Sequence, residues 1–238
     1  FVGLFYWTWR NQNVKIEPTN LSKVLREHPD AEYDIHHPAW KEHESVHWNE
    51  PLYGFYRNDD PYVLRKHAQY FANAGVDALF FDTTNGSLVW KDAYMALLEE
   101  FHKARLDGIK TPQVAFIMNF GPMPSTLHML RSLYQDLYKP GLYRDLWFLW
   151  EGKPLVLAYP EAIPQEGKSD FDTALLNEIR SFFTFRPPQP MYAGGPRRED
   201  QWGWLEIAPQ NGYVKKPNGG YEMCTVGVAQ NARDGRIC

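Results

Sequence analysis

The sequence predicts an α/β fold of the (β/α)8, TIM-like barrel type. Three observations point to it. Short apolar strands alternate with helical patterns over most of the 238 residues, the arrangement that gives parallel strands with helical crossovers. Residues 76–81 form a near-continuous apolar run, as a strand buried on both faces requires. A polar cluster, Asp82-Thr83-Thr84-Asn85-Gly86, follows directly at its carboxyl end, where α/β proteins build their sites.

The elements follow in order. Residues 2–7 read as the first strand, and the stretch at about 10–60, rich in His, Trp, Pro and charge, as a long first βα loop. Asp60-Pro61 supplies an N-cap and a first-turn proline for a helix with Leu64, His67, Ala68 and Phe71 on one face, stopped by Gly75. A helix at 90–106 is closed by Gly108, a strand at 114–118 ends in Asn119, and a helix at 125–138 stops at Pro140-Gly141. Residues 147–150 and 154–159 read as strands around the tight turn Glu151-Gly152-Lys153, and a helix covers 172–182. Barrel-quality strands are then 2–7, 76–81, 114–118, 155–159, 182–185, 202–207 and 223–229. That makes seven, so the last strand is expected to lie outside this sequence, because open barrel edges are costly.

Hydrophobic residues at 44% and charged residues at 23% match a globular chain and exclude disordered and collagenous classes. The length fits a single domain over 1–238. Net charge is -4, with no basic block beyond Arg197-Arg198, so nucleic acid is not an expected partner. The longest lipophilic stretch, 146–159, is interrupted by Glu151 and Lys153, which argues against a membrane span. Cys224 and Cys238 are compatible with one disulfide or two free thiols. Asn20-Leu21-Ser22 and Asn85-Gly86-Ser87 are glycosylation sequons. The sequence opens at Phe1 without the features of a signal peptide, which reads as a processed chain, secreted or periplasmic.

Aromatic residues reach 16%, with 9 Trp and 14 Tyr. Their flat apolar faces and polar edges suit sugar rings as well as core packing. Glycoside hydrolysis needs two carboxylates facing one bond, and Asp82, Glu206 and Glu50 are the candidates. Asp82 ends a buried strand; its alternative role is a cap on the following loop. Glu206 shares a strand face with Trp202 and Trp204; its alternative is a structural ion pair. Glu50 lies on the long loop. Trp7, Trp9, His47, Trp48, Tyr53, Asn85, Asn119, Trp202 and Trp204 are the candidate substrate-binding residues. His43-Glu44-Ser45-Val46-His47 matches the zinc-peptidase pattern H-E-x-x-H, but Pro38 and Pro51 crowd the helix which that chemistry needs. No metal is therefore expected. No G-x-G-x-x-G follows a strand and no P-loop or G-x-S-x-G occurs, so no cofactor is expected either.

Glu50-Pro51-Leu52-Tyr53-Gly54-Phe55-Tyr56-Arg57-Asn58-Asp59-Asp60, the helix bearing His67, Ala74-Gly75-Val76-Asp77, and the strand ending in Asp82 resemble proteins related to glycoside hydrolase families 99 and 71. Glu151-Gly152-Lys153-Pro154-Leu155-Val156 resembles their later Gly-Lys-Pro strand. The resemblance implies a (β/α)8 barrel acting on glycans, with mannoside-cleaving endo-enzymes as characterised relatives. Those relatives carry catalytic glutamates in an Asn-Glu-Trp segment that this sequence lacks, so their catalytic pair does not transfer. The expectation is a glycoside hydrolase; the alternatives are a non-catalytic carbohydrate-binding barrel and the zinc peptidase.

Overall fold

The structure is a computed structural model that describes residues 1–9, 18–34, 36–40, 50–189, 194–203, 206 and 210–226, and the backbone of 232–233 and 236–237. In chain order the elements begin with β1 (Gly3–Tyr6), α1 (Leu21–Glu27), α2 (Pro61–Asn73), β2 (Ala78–Asp82), α3 (Lys91–Leu106) and β3 (Gln113–Ile117). Next come α4 (Pro124–Leu133), β4 (Leu149–Trp150), β5 (Lys153–Leu157), α5 (Asp170–Phe182) and β6 (Thr184–Phe185). The last are β7 (Pro188–Gln189), β8 (Trp202–Gly203), β9 (Gly212–Lys215), β10 (Tyr221–Cys224), β11 (Ala232–Arg233) and β12 (Arg236–Ile237). They divide into two compact units, one of Phe1–Tyr6, Asp77–Val89 and Gln113–Cys238, the other of Trp7–Val76 and Trp90–Pro112.

The first unit is built on a six-stranded sheet in the order β1-β2-β3-β5-β4, with β6 also on β5. All its pairings are parallel except the β4–β5 hairpin. Glu151 and Gly152 turn that hairpin with φ of 54° and 78°, the two left-handed residues that a two-residue turn needs to match strand twist. Every residue of β2 is buried, as its apolar run predicted. Side-chain alternation puts Ala78 and Phe80, Ala115 and Ile117, and Leu155 and Leu157 on one face, where they cluster with Phe148 and Trp202.

The sequence and the structure part company after α5. That helix runs to Phe182, so the strand expected at 182–185 shortens to Thr184–Phe185. Of the strand expected at 202–207, the described part is Trp202–Gly203, paired with β7 outside the large sheet, while residues 204, 205 and 207 lie outside the described residues. Of the strand expected at 223–229, the described part is Tyr221–Cys224, antiparallel to β9, while residues 227–229 lie outside the described residues. Among the described residues the result is a mixed α/β fold with a mostly parallel sheet, and the strand pairings do not close a barrel. Gly203 allows the close packing here: a Cβ on it would lie 2.7 Å from the Tyr213 ring and 2.8 Å from Thr225 Cγ2.

In the second unit α2 packs on α3; α2 buries Val63, Leu64 and Ala68, and α3 buries Leu97, Leu98 and Phe101 among others. Asp60 caps α2 as its position predicted, accepting from the Tyr62 and Val63 N–H groups at 3.0 and 3.1 Å. Asp60→Ala is expected to lower stability by about 1 kcal/mol, read from a urea denaturation midpoint. Among the described residues no helix is long and apolar enough to cross a membrane.

Candidate functional site

Strand alternation continues the core face of Ala78 and Phe80 to Asp82, at the carboxyl end of β2. The Asp82 side chain is buried, 3% exposed, and its Oδ1 accepts from the Thr84 N–H at 2.9 Å. That bond is the loop cap weighed from the sequence, and it leaves the carboxylate at the end of a parallel strand, the position of chemistry in this class of fold.

The loop after Asp82 is fastened by Asn119. Its Nδ2 donates to the Thr84 and Gly86 carbonyls at 2.8 and 3.0 Å, and its Oδ1 accepts from Ser125 Oγ and Thr126 Oγ1 at 2.9 and 3.1 Å. Two donors and two lone pairs are the full capacity of an amide side chain. Asn119, expected to bind substrate, therefore holds the loop that follows Asp82. Asn85, on that loop, is exposed.

Glu206 is fully buried. Oε1 accepts from the Gly195 N–H at 2.9 Å and from Asn211 Nδ2 at 2.8 Å, and Oε2 accepts from the Asn211 N–H at 2.8 Å. The structural alternative to catalysis is thus met by amide N–H groups, not by the ion pair that was weighed. Burial, followed by the adjacent Glu206 charge, holds the Tyr213 hydroxyl well above the ordinary phenol range. Glu206→Ala is expected to lower stability by about 3 kcal/mol, since buried N–H groups lose their acceptor, measured by thermal melting.

Trp202, expected as a sugar platform, is fully buried and fills the core. Its ring centroid lies 5.1 Å from Trp150 and 6.4 Å from Phe80, and its Nε1 donates to Glu222 Oε2 at 2.8 Å. The same carboxylate takes a two-pronged contact from Arg186, Nε to Oε2 at 2.9 Å and Nη2 to Oε1 at 2.8 Å, and Arg186 Nη2 also reaches Glu151 at 3.0 Å. A second network went unread in the sequence. Gln201 Oε1 accepts from the Arg197 and Arg198 N–H groups, Gln201 Nε2 donates to the Tyr159 hydroxyl, and the Arg198 guanidinium sits 5.5 Å over the Tyr159 ring. The Arg-Arg pair was visible, but it bore on nucleic acid only.

The second unit holds the other described candidates. Glu50 accepts from Ser22 Oγ at 2.6 Å. Trp7 is 58% exposed and its ring lies 6.0 Å from the half-buried Trp9. Tyr53 shares a hydrogen bond between hydroxyls with Tyr70, which pushes the Tyr53 phenol up to about 12. His47, Trp48 and Trp204 lie outside the described residues, as do His43 and Glu44 of the H-E-x-x-H match. Among the described residues no cluster of three His, Cys, Asp or Glu could hold a metal ion.

No protein-family profile and no curated protein matches this chain. Among solved structures, the GH99 endo-alpha-mannosidase from Bacteroides thetaiotaomicron is similar in two forms. The first, in complex with BIS-TRIS-propane, is 19% identical with a TM-score of 0.46, covering 79% of this chain and 52% of that one. The second is 17% identical with a TM-score of 0.47, covering 79% and 55%. The chain spans about half the length of these mannosidase chains.

Proposed function

We propose that this chain is a glycoside hydrolase, secreted or periplasmic, that acts on a glycan or polysaccharide through carboxylate acid/base chemistry at the carboxyl ends of its parallel strands. In this reading residues 1–238 make a single (β/α)-barrel domain with its long first βα loop at about 10–60. The observation that carries the reading is Asp82, a buried carboxylate at the end of β2 on the face that continues the core. A carboxyl group held in one position can give or take a proton at a bound substrate. The resemblance of residues 50–60 supports a sugar substrate. Glu206 belongs to the supporting wall, given its amide donors.

The test is a hydrolysis screen of the purified chain on a panel of mannosides and other glycans, with reducing-end release and glycan binding measured on the same sample. Sugar release that persists after metal chelation is the expected result. Binding without release would identify a carbohydrate-binding barrel, and peptide cleavage with stoichiometric zinc would move the function to the H-E-x-x-H segment.

A further inference from the structure

The chain contains three Asn-Gly steps, Asn85-Gly86, Asn211-Gly212 and Asn218-Gly219. Such steps can convert spontaneously, because a glycine offers no side chain to hinder attack by its backbone nitrogen on the preceding carboxamide. We infer that Asn85 is a self-modifying deamidation site of this protein and that the fold protects the other two.

The reaction balances without any reagent but water. The Gly86 backbone nitrogen attacks Asn85 Cγ, forming the new C–N bond of a five-membered succinimide; the carboxamide nitrogen leaves as ammonia, taking up the proton the backbone nitrogen gives away. Water then opens the ring at either carbonyl, yielding aspartate or isoaspartate. No oxidation state changes.

The structure separates the three steps by what holds each amide. Asn211 is clamped at both its backbone N–H and its Nδ2 by the buried Glu206 carboxylate, and Gly212 is paired with Cys224 in the β9–β10 ladder. Gly219 donates its N–H to the Lys216 carbonyl at 3.0 Å, and Asn218 Oδ1 accepts from the Gly220 N–H at 3.1 Å. Asn85 and Gly86 are both exposed in a bend outside any helix or strand. Among the described residues neither the Asn85 side chain nor the Gly86 N–H has a hydrogen-bond partner; the loop is held through its Thr84 and Gly86 carbonyls instead. The nucleophile and the electrophile are therefore both available without any local opening, whereas the other two steps must first break hydrogen bonds. The product places a new negative charge three positions beyond Asp82, on the loop at the carboxyl end of β2, independently of which bond the chain hydrolyses.

Incubating the native chain in mildly alkaline buffer and following each Asn-Gly peptide by mass spectrometry, with enzymatic methylation to count isoaspartate, tests the inference. Conversion at Asn85 is expected to exceed that at Asn211 and Asn218 by about tenfold, the factor that one modest opening step imposes. In denaturant the three rates should converge. Asn85→Gln, whose longer side chain closes a less favourable ring, should remove the signal from that peptide alone. Native conversion at Asn211 or Asn218 as fast as at Asn85, or an Asn85 peptide that stays intact natively while converting in denaturant, would overturn the inference.

Discussion

Under the proposed function, Asp82→Asn is expected to lower glycan hydrolysis by a factor of about 10²–10⁴ in kcat, the contribution of a positioned acid or base. Asparagine has nearly the same shape, and its Oδ1 can still accept the Thr84 N–H now held at 2.9 Å. The loop cap is thus preserved while the proton-transfer capacity is lost. The measurement is kcat on the best substrate from the screen, with a thermal melt on the same preparation. A variant that melts normally and keeps its turnover would reduce Asp82 to a turn residue.

The largest stability effect is expected at Arg186. Its side chain is 10% exposed and that of Glu222 is 9% exposed, so truncating the guanidinium strands a buried carboxylate. Arg186→Ala should lower stability by about 3–5 kcal/mol, read from the denaturant midpoint. The double variant Arg186→Ala with Glu222→Gln should recover part of the loss, because the neutral amide keeps an acceptor for Trp202 Nε1 and no longer needs a cation. Burial alone would raise the Glu222 carboxyl, but the Arg186 guanidinium and the Trp202 indole outweigh it and hold it below the ordinary glutamate value of 4.5. A carboxyl depressed in the folded state contributes stability in full above its unfolded value and loses it as pH falls through the folded one. The wild-type chain should therefore weaken at acid pH below the ordinary glutamate range, and the double variant should lose part of that dependence.

The same cluster shows how far a linear reading reaches. Asp60-Pro61 starting α2 and Glu151-Gly152 turning β4 into β5 were legible because cap and turn chemistry is completed by residues next to one another. The buried run ending at Asp82 was legible because a strand covered on both faces is apolar throughout. Trp202 and Glu206 were misjudged by the same logic: period-2 alternation tells which side chains share a face, not what faces them. Trp202 met Trp150, Phe80 and Glu222, and Glu206 met Gly195 and Asn211.

Strand pairing marks the boundary. The segments near 202 and 223 read as strands correctly, yet their partners are β7 and β9, brought alongside by the fold, and not the central sheet. By itself the sequence determined the α/β class, the starts and stops of α2 and α3, the tight turns and the buried strand that delivers Asp82, but not α1, which lies inside the stretch read as a loop. The tertiary structure alone decided which carboxylates are held by amide donors, which tryptophans are core, and which Asn-Gly step lies open. The physical reason is range: caps, turns and periodicity are settled within a few residues, whereas burial and hydrogen-bond saturation depend on groups that only folding brings together.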